Sequence, residues 1–193
     1  MRKLSVSILM PCLNSDEYLD ASIESCLKNS QLNELIIADG MSGNKTIEKI
    51  IHWSKKDKRV KWFSRKDLNI ADALNHALSI SSGELIGWLN TDDLYAEGSL
   101  ERSIYYLSKN KDKDMVYGNG IHIDKNGAFI DYYPSRYKNI NNLSFQKGCF
   151  ICQPTVIIRR KFIEKIGGFD TNWKYTFDLE LWLRIFSFEK FNN

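Results

Sequence analysis

What the sequence lacks narrows its function first. It has no run of about 18 apolar residues, so nothing in it reads as a membrane span. Charge of one sign is not in excess: 27 Lys and Arg stand against 24 Asp and Glu, a net +3. A nucleic-acid binder would concentrate basic residues on one face. The densest basic cluster, Lys55, Lys56, Lys58, Arg59 and Lys61, reads instead as the solvated end of a helix and its following turn. Only four cysteines occur, at positions 12, 26, 149 and 152. Cys149 and Cys152 have zinc-type spacing, but a structural zinc needs four ligands and Cys12 and Cys26 do not supply the matching pair. All four are expected as buried, reduced thiols. The histidines, His52, His76 and His122, show no ligand spacing and are assigned no chemistry. No Gly-rich phosphate loop is present. Gly40 and Gly43 do not make a dinucleotide fingerprint, and no Gly-Lys-Ser/Thr follows a strand, which argues against a dehydrogenase or a P-loop enzyme. Repeats, low-complexity tracts and linkers are absent as well.

What is present describes one ordinary domain. A chain of 193 residues can bury a sizeable core. Its 43% hydrophobic and 26% charged residues are those of a soluble globular protein. The charged start and short apolar run of Met1–Met10 resemble a leader, but Pro11, Asn14, Asp16 and Glu17 follow at once with no small-residue cleavage site. This stretch therefore reads as the first buried strand of a cytoplasmic protein, spanning Leu4 to Met10.

Periodicity places the other elements. Ser15, followed by Asp16 and Glu17, suits a helix start, and Leu19, Ile23, Cys26 and Leu27 give it an apolar face. Strands are expected over Glu34–Ala38, Val60–Phe63 and Glu84–Leu89. Helices are expected around Ile47–Trp53 and over Ile70–Ile80, the latter ended by Ser82-Gly83. Strand and helix thus alternate through the first ~90 residues, the pattern of a mostly parallel central sheet with helices on both faces. The second half is mixed. It holds a helix on Leu100, Ile104 and Leu107, short strands at Met115–Tyr117 and Ile121–Ile123, and a hairpin turn at Asp124–Gly127. A polar, aromatic stretch runs from Asp131 to Gln146 and includes Asn139, Asn141 and Asn142. Then come a strand at Val156–Ile158, a short helix ended by Gly167-Gly168, and a final helix over Leu179–Phe186.

Ligands of open α/β sheets sit beyond the carboxyl ends of the strands. Four polar loops should share that edge: Pro11–Asn14, Asp39–Gly43, Ser64–Asn69 and Asn90–Asp93. The last ends in adjacent carboxylates, Asp92 and Asp93. Either Asp93 caps a helix starting near Ala96, or the pair holds a hard divalent cation, which takes oxygen ligands.

Five segments in this order resemble the nucleotide-sugar glycosyltransferases of the GT-A fold, family 2 type. They are SVSILMPCLNSDEYLDASIESCL, ELIIADGMSGNKT, IADALNHALSISSGELIGWLNTDD, CQPTVIIRRKFIEKIGGFD and FDLELWLRI. The resemblance spans nearly the whole chain. It implies a GT-A, Rossmann-like domain over 1–193, with a nucleotide-binding half (1–95), an acceptor-side half (96–193) and a small mixed β extension. Members of that family typically run on past the last helix with further strand and helix, so the acceptor-side half is expected as a trimmed or a naturally truncated one.

Roles carried over from that resemblance fall on matching positions. Asp92 and Asp93 would hold Mn²⁺ or Mg²⁺ against the donor diphosphate; the family often has a further acid where Asn90 stands. Pro11, Cys12, Leu13 and Asn14 match the loop passing the base, although Cys12 and Leu13 depart from the family's Thr or Ser and aromatic. Asp39 would accept from the base or ribose, or else simply forms the turn at Gly40. Asp72 and Asn75 would meet donor hydroxyls, or else solvate a helix. Asp178 would be the base that takes the acceptor's proton, with Phe177 standing where the family often has an acid; its alternative is a helix cap. The five Trp and nine Tyr read more as core and sheet packing than as a sugar platform, although Trp173, Tyr175 and Trp182 lie where an acceptor could stack.

The implied activity is an inverting, metal-dependent transfer of a sugar, with UDP-sugars favoured, to a saccharide or lipid-linked acceptor in polysaccharide or cell-envelope biosynthesis. Its setting would be cytoplasmic, at the inner face of the membrane. Two rivals remain at this stage: a non-catalytic nucleotide-sugar-binding protein, and a nucleotidyltransferase, which usually needs a basic Gly-rich loop after its first strand.

Overall fold

The computed structural model describes residues 4–133, 135 and 149–192. Four strands lie parallel at its centre: β1 (Val6–Cys12), β2 (Leu32–Asp39), β3 (Val60–Ser64) and β4 (Leu85–Trp88). The helices between them are α1 (Leu19–Leu27), α2 (Asn44–Lys56) and α3 (Ile70–Ile80). The second half adds α4 (Ser99–Lys109), β5 (Met115–Val116), the ribbon β6 (Gly120–Ile123) and β7 (Phe129–Tyr133), β8 (Ile157–Arg159), α5 (Arg160–Lys165) and α6 (Phe177–Asn192).

The main sheet runs in the order β3-β2-β1-β4-β8-β5. β8 pairs antiparallel with β4 on one side and with β5 on the other. The expected mixed α/β sheet is thus present, but the strand from the last third of the chain enters its interior rather than extending its edge. Both faces are covered, so β1 is buried almost throughout instead of alternating. Ile8 and Met10 pack with α1, α2 and α4, while Leu9 packs on the opposite face with α3, α5 and α6.

One boundary differs from expectation. α1 begins at Leu19, with no side-chain cap on its first turn. The Ser15 hydroxyl donates to the Leu13 carbonyl instead of accepting from the helix. Asn14, in the left-handed region at φ 50°, has its backbone N–H bonded to Ser42 Oγ, so the chain must first cross toward the β2 turn before it can coil. By contrast α3 spans the expected residues, because Asn69 caps it by accepting from the Asp72 N–H. The basic cluster lies where expected: Lys55 and Lys56 close α2, and Arg59 pairs with Asp57 in the next turn. The stretch containing Asn139, Asn141 and Asn142 lies outside the described residues.

A buried carboxylate ties the amino-terminal end of the sheet together. Glu34 is fully buried and accepts from the Ser7 hydroxyl, the Ser82 N–H and hydroxyl, and Lys61. Burial alone would raise its pKa; the Lys61 ammonium and the serine donors outweigh that and hold the carboxyl at about 2. Its contribution to stability is therefore complete above the ordinary value of 4.5 and is lost as pH falls toward 2. Glu34→Ala strands buried serine donors that cost ~1–3 kcal/mol each. We expect a loss of roughly 2–5 kcal/mol in denaturant unfolding at pH 7, with the difference from the parent shrinking below pH 4.

Candidate active site

The four polar loops meet at the carboxyl end of the parallel strands. The first two are laced together. The Gly40 N–H donates to the Cys12 carbonyl, the Asn14 N–H to Ser42 Oγ, and the Gly43 N–H to Asn14 Oδ1, over 2.8–2.9 Å. Asn14 and Met41 both take positive φ, so each loop reverses sharply and exposes one apolar side chain, Leu13 and Met41. Asp39 organises this turn from below. Its carboxylate is wholly buried and accepts from the Met41 and Ser42 N–H groups and the Ser64 hydroxyl. Of its two sequence readings, the geometry is that of the turn-former. Burial, with Asp39 adjacent, pushes the Cys12 thiol up to about 11.

Asp72 and Asn75 are likewise occupied. Asp72 accepts from Arg65 and from the Leu68 N–H. Asn75 uses both ends of its amide on one residue, donating to the Phe169 carbonyl at 2.7 Å and accepting from its N–H at 2.9 Å. Close approach makes this staple possible: a Cβ at Gly168 would lie 2.6 Å from Asn75 Oδ1, and Gly168 sits at φ 70°. Asn75 thus fastens α3 to the segment before α6 instead of presenting its amide to a ligand.

Loop Asn90–Asp93 is held from two sides. α1 supplies Ser22, which donates to the Thr91 carbonyl, and Ser25, which accepts from the Tyr95 N–H. Opposite, Gln153 donates to the Trp88 carbonyl and accepts from Asn90, whose amide also donates to Asp93 Oδ2 at 3.2 Å. Gln153 was not singled out from the sequence, although it sits in the CQPT segment that carried part of the resemblance. Asp93 caps nothing, since α4 starts at Ser99 behind Gly98. Burial, then the charge of Asp92, pushes its pKa up to about 6. A half-buried carboxylate beside a second one, with only an amide donor, lacks positive charge. Two hard oxygen donors short of a counter-charge fit a divalent cation. Among the described residues no third His, Cys, Asp or Glu completes a metal cluster.

Asp92 and Asp93 open into a cleft of about 1110 Å³ that Asp178 also lines. Asp178 lies in the first turn of α6, as its second residue rather than its cap. Its neighbours Phe177 and Leu179 are buried, and Trp182, one turn on, stacks on Trp88 of β4 at 5.4 Å and 14°. This stack joins the strand that leads to Asp92 with the helix that carries Asp178. Trp182 is completely buried, a core residue as favoured for the aromatics, and no acceptor platform. Trp173 and Tyr175 do not line the cleft either. Its aromatic wall comes from Tyr106, Tyr117, Tyr132 and Tyr133.

The cysteine expectation needs a similar correction. Cys12 and Cys26 are buried, but Cys149 and Cys152 are only half-buried and line this cleft. Burial, followed by Asp93 and Cys149, pushes the Cys152 thiol up to about 11, and burial with Asp178 raises Cys149. The Tyr133 hydroxyl donates to the Cys149 carbonyl at 2.8 Å and so anchors the ribbon to this segment.

Parallel strands with laced loops at their carboxyl edge, leading to an acidic pair that shares a cleft with a helix-borne carboxylate, are what the resemblance to GT-A glycosyltransferases implies. Comparison with known proteins makes the assignment narrower. Residues 7–167 match the profile of glycosyl transferase family 2, and the chain belongs to that family. It is 33% identical over 189 residues to the Escherichia coli O-antigen biosynthesis glycosyltransferase WbnJ, covering 93% of this chain and 71% of WbnJ. It is 32% identical to the E. coli UDP-Glc:alpha-D-GlcNAc-diphosphoundecaprenol beta-1,3-glucosyltransferase WfgD, covering 93% of this chain and 69% of WfgD. Among solved structures it is similar to S. aureus TarS 1–349, with a TM-score of 0.72 at 18% identity. That match covers 94% of this chain and 55% of TarS 1–349, which has also been solved with UDP. The mannosyltransferase PcManGT of Pyrobaculum calidifontis, in complex with GDP-Man and Mn²⁺, matches with a TM-score of 0.66 at 18% identity over 86% of this chain and 48% of that one. Among the described residues no helix is long and apolar enough to cross a membrane.

Proposed function

We propose that this protein is an inverting glycosyltransferase that moves a sugar from a nucleotide-diphosphate donor, a UDP-sugar by preference, to a saccharide or lipid-linked acceptor in cell-envelope polysaccharide assembly. The observation that carries this reading is the meeting of Asp92, Asp93 and Asp178 in one cleft. Residues 1–95 form the donor half of the domain and 96–193 the acceptor half. The laced loops Pro11–Asn14 and Asp39–Gly43 seat the nucleoside, with Leu13 and Met41 as its apolar contacts and Asp39 fixing the loop shape.

Asp92 and Asp93 would hold Mn²⁺ or Mg²⁺, and a divalent ion bound there would supply Lewis-acid stabilisation of the leaving diphosphate. Asp178 takes the acceptor hydroxyl's proton as its oxygen attacks the anomeric carbon, while the nucleotide departs from the other face. Single displacement requires no covalent enzyme intermediate, so inversion follows. We set this activity at the cytoplasmic face of the membrane; UDP-Glc is the donor named for the relative WfgD.

Incubation of the chain with UDP-glucose, UDP-galactose and UDP-N-acetylglucosamine in the presence of Mn²⁺ tests the proposal. Slow UDP release in the absence of acceptor is expected from at least one donor, abolished by EDTA and restored by excess Mn²⁺. A nucleotide-sugar binder with no catalytic role would bind and release no UDP.

A further inference from the structure

β8 runs antiparallel to β4, with Ile157 opposite Gly87. The residues just before β8 therefore lie beside the carboxyl end of β4, where the Asn90–Asp93 loop begins. They form a single 3₁₀ turn, Gln153–Thr155, with Pro154 inside it. The turn is pinned at its far end. The Thr155 hydroxyl donates to the Cys152 carbonyl at 2.7 Å and accepts from the Gly118 N–H at 2.9 Å. Gln153 is thus presented to the acidic loop from a fixed base.

A chain of amides follows, and its polarity is decided at one end. The Trp88 carbonyl can only accept, so the amide nitrogen of Gln153 must face it, over 2.9 Å. That turns Gln153 Oε1 to Asn90, and this oxygen can likewise only accept. Asn90 has to answer with its NH₂ group, which carries two hydrogens. One goes to Gln153 Oε1 and the other to Asp93 Oδ2, each over 3.2 Å. The backbone closes the same turn, because the Asp93 N–H donates to the Asn90 carbonyl. A carboxylate at position 90 would set oxygen against oxygen at both side-chain contacts. One at position 153 would do the same at the Trp88 carbonyl. The direction of the chain, from a strand carbonyl to one oxygen of Asp93, therefore depends on both residues being amides.

We infer that Gln153 is a positioning residue of the cation site: acting through Asn90, it holds the Asp93 carboxylate by Oδ2 in the orientation from which the acidic pair takes a divalent ion. This rests on the reading of Asp92 and Asp93 given above. Groups that hydrogen-bond to metal-ligating carboxylates typically contribute ~10–100-fold to metal affinity.

The test uses the whole chain and Mn²⁺ alone, with binding read by calorimetry and by loss of the free-ion EPR signal. Gln153→Met keeps the length of the side chain and removes both amide contacts. It should weaken Mn²⁺ binding about tenfold, the low end of that range, because it acts one bond removed. Gln153→Asn, too short to span Trp88 and Asn90, should do the same and serves as a second variant. Asn90→Ala leaves the Gln153–Trp88 bond in place and should cost about ten- to a hundredfold. Residues acting in one hydrogen-bond chain are not additive. The double variant Gln153→Met with Asn90→Ala should therefore bind within about twofold of Asn90→Ala alone, whereas a merely structural Gln153 would multiply the two losses. A metal-free reading accompanies this: the side-chain N–H pair of Asn90 should exchange slowly with solvent in ¹⁵N NMR of the parent and fast in Gln153→Met. Unchanged Mn²⁺ affinity in both Gln153 variants, multiplied losses in the double variant, or an Asn90 amide indifferent to residue 153 overturns the inference. A parent that takes no Mn²⁺ while its Asn90 amide still answers to residue 153 upholds the chain of amides and defeats the cation reading of Asp92 and Asp93 instead.

Discussion

Asp178→Asn is expected to lower sugar transfer by about 10²–10⁴, the usual contribution of a positioned general base, while donor affinity stays within twofold of the parent. The substitution keeps the shape of the side chain and removes its ability to accept a proton. Its surroundings argue that the fold will not change. Phe177 and Leu179 are buried on either side, and the Trp88–Trp182 stack holds the helix independently of residue 178. Thermal unfolding should therefore shift little. Turnover of the variant at the parent's rate would remove Asp178 from the role of base. A parallel loss of UDP-sugar affinity, measured by calorimetry, would move it into donor binding.

Asp93→Asn is expected to act in opposite directions on activity and on stability. Without metal, burial in the cleft, and after it the charge of Asp92, raises the pKa of Asp93 from the ordinary 3.8 to about 6. A carboxyl whose pKa is raised by folding favours the folded state while protonated. That contribution is present below pH 3.8 and lost as pH rises through about 6. Asparagine removes the penalty, so the metal-free variant should be more stable than the parent at pH 8 by roughly 1–2 kcal/mol, allowing for solvent screening in the open cleft. Metal binding requires the carboxylate, so Mn²⁺ affinity of the parent should rise with pH through about 6. The variant should lose that dependence together with most of its Mn²⁺-stimulated turnover, at least a hundredfold. Melting curves with and without Mn²⁺ at pH 5 and pH 8 read the stability and affinity changes, and UDP release reads the turnover. A variant less stable than the parent at pH 8 without metal would contradict this account of burial and repulsion.

The sequence reveals the sheet well, because burial on both faces writes itself into short apolar runs separated by amphipathic helices. α3 is an example: its apolar face, its Asn69 cap and its stop are all local. Features set by distant partners were not readable. Trp182 looks like a surface aromatic near an acceptor until Trp88 is placed under it. Asn75 looks like a free amide until Phe169 occupies both its ends. The start of α1 was misplaced because the Asn14 loop answers to Ser42 and Gly43, not to its own helix. The site divides along the same line. Asp92 and Asp93 stand out in sequence as an unexplained charge pair after a buried strand, and resemblance supplied the link to Asp178. The tyrosine wall, Gln153 and the half-open cysteines depend on how the ribbon and β8 fold back, which no periodicity encodes.

The place of β8 in the sheet has a consequence for how the protein is made. Synthesis delivers β1 to β4 first, and these can pair among themselves as they leave the ribosome. β4 then presents a bare edge of backbone donors and acceptors, directly beside the acidic loop, until Ile157 and Ile158 arrive to cover it. β5 waits as well, since among the described residues its partner strand in the sheet is β8. A nascent chain stalled before residue 157 would therefore carry a sticky, catalytically silent half-sheet, exposed to strand addition from its neighbours.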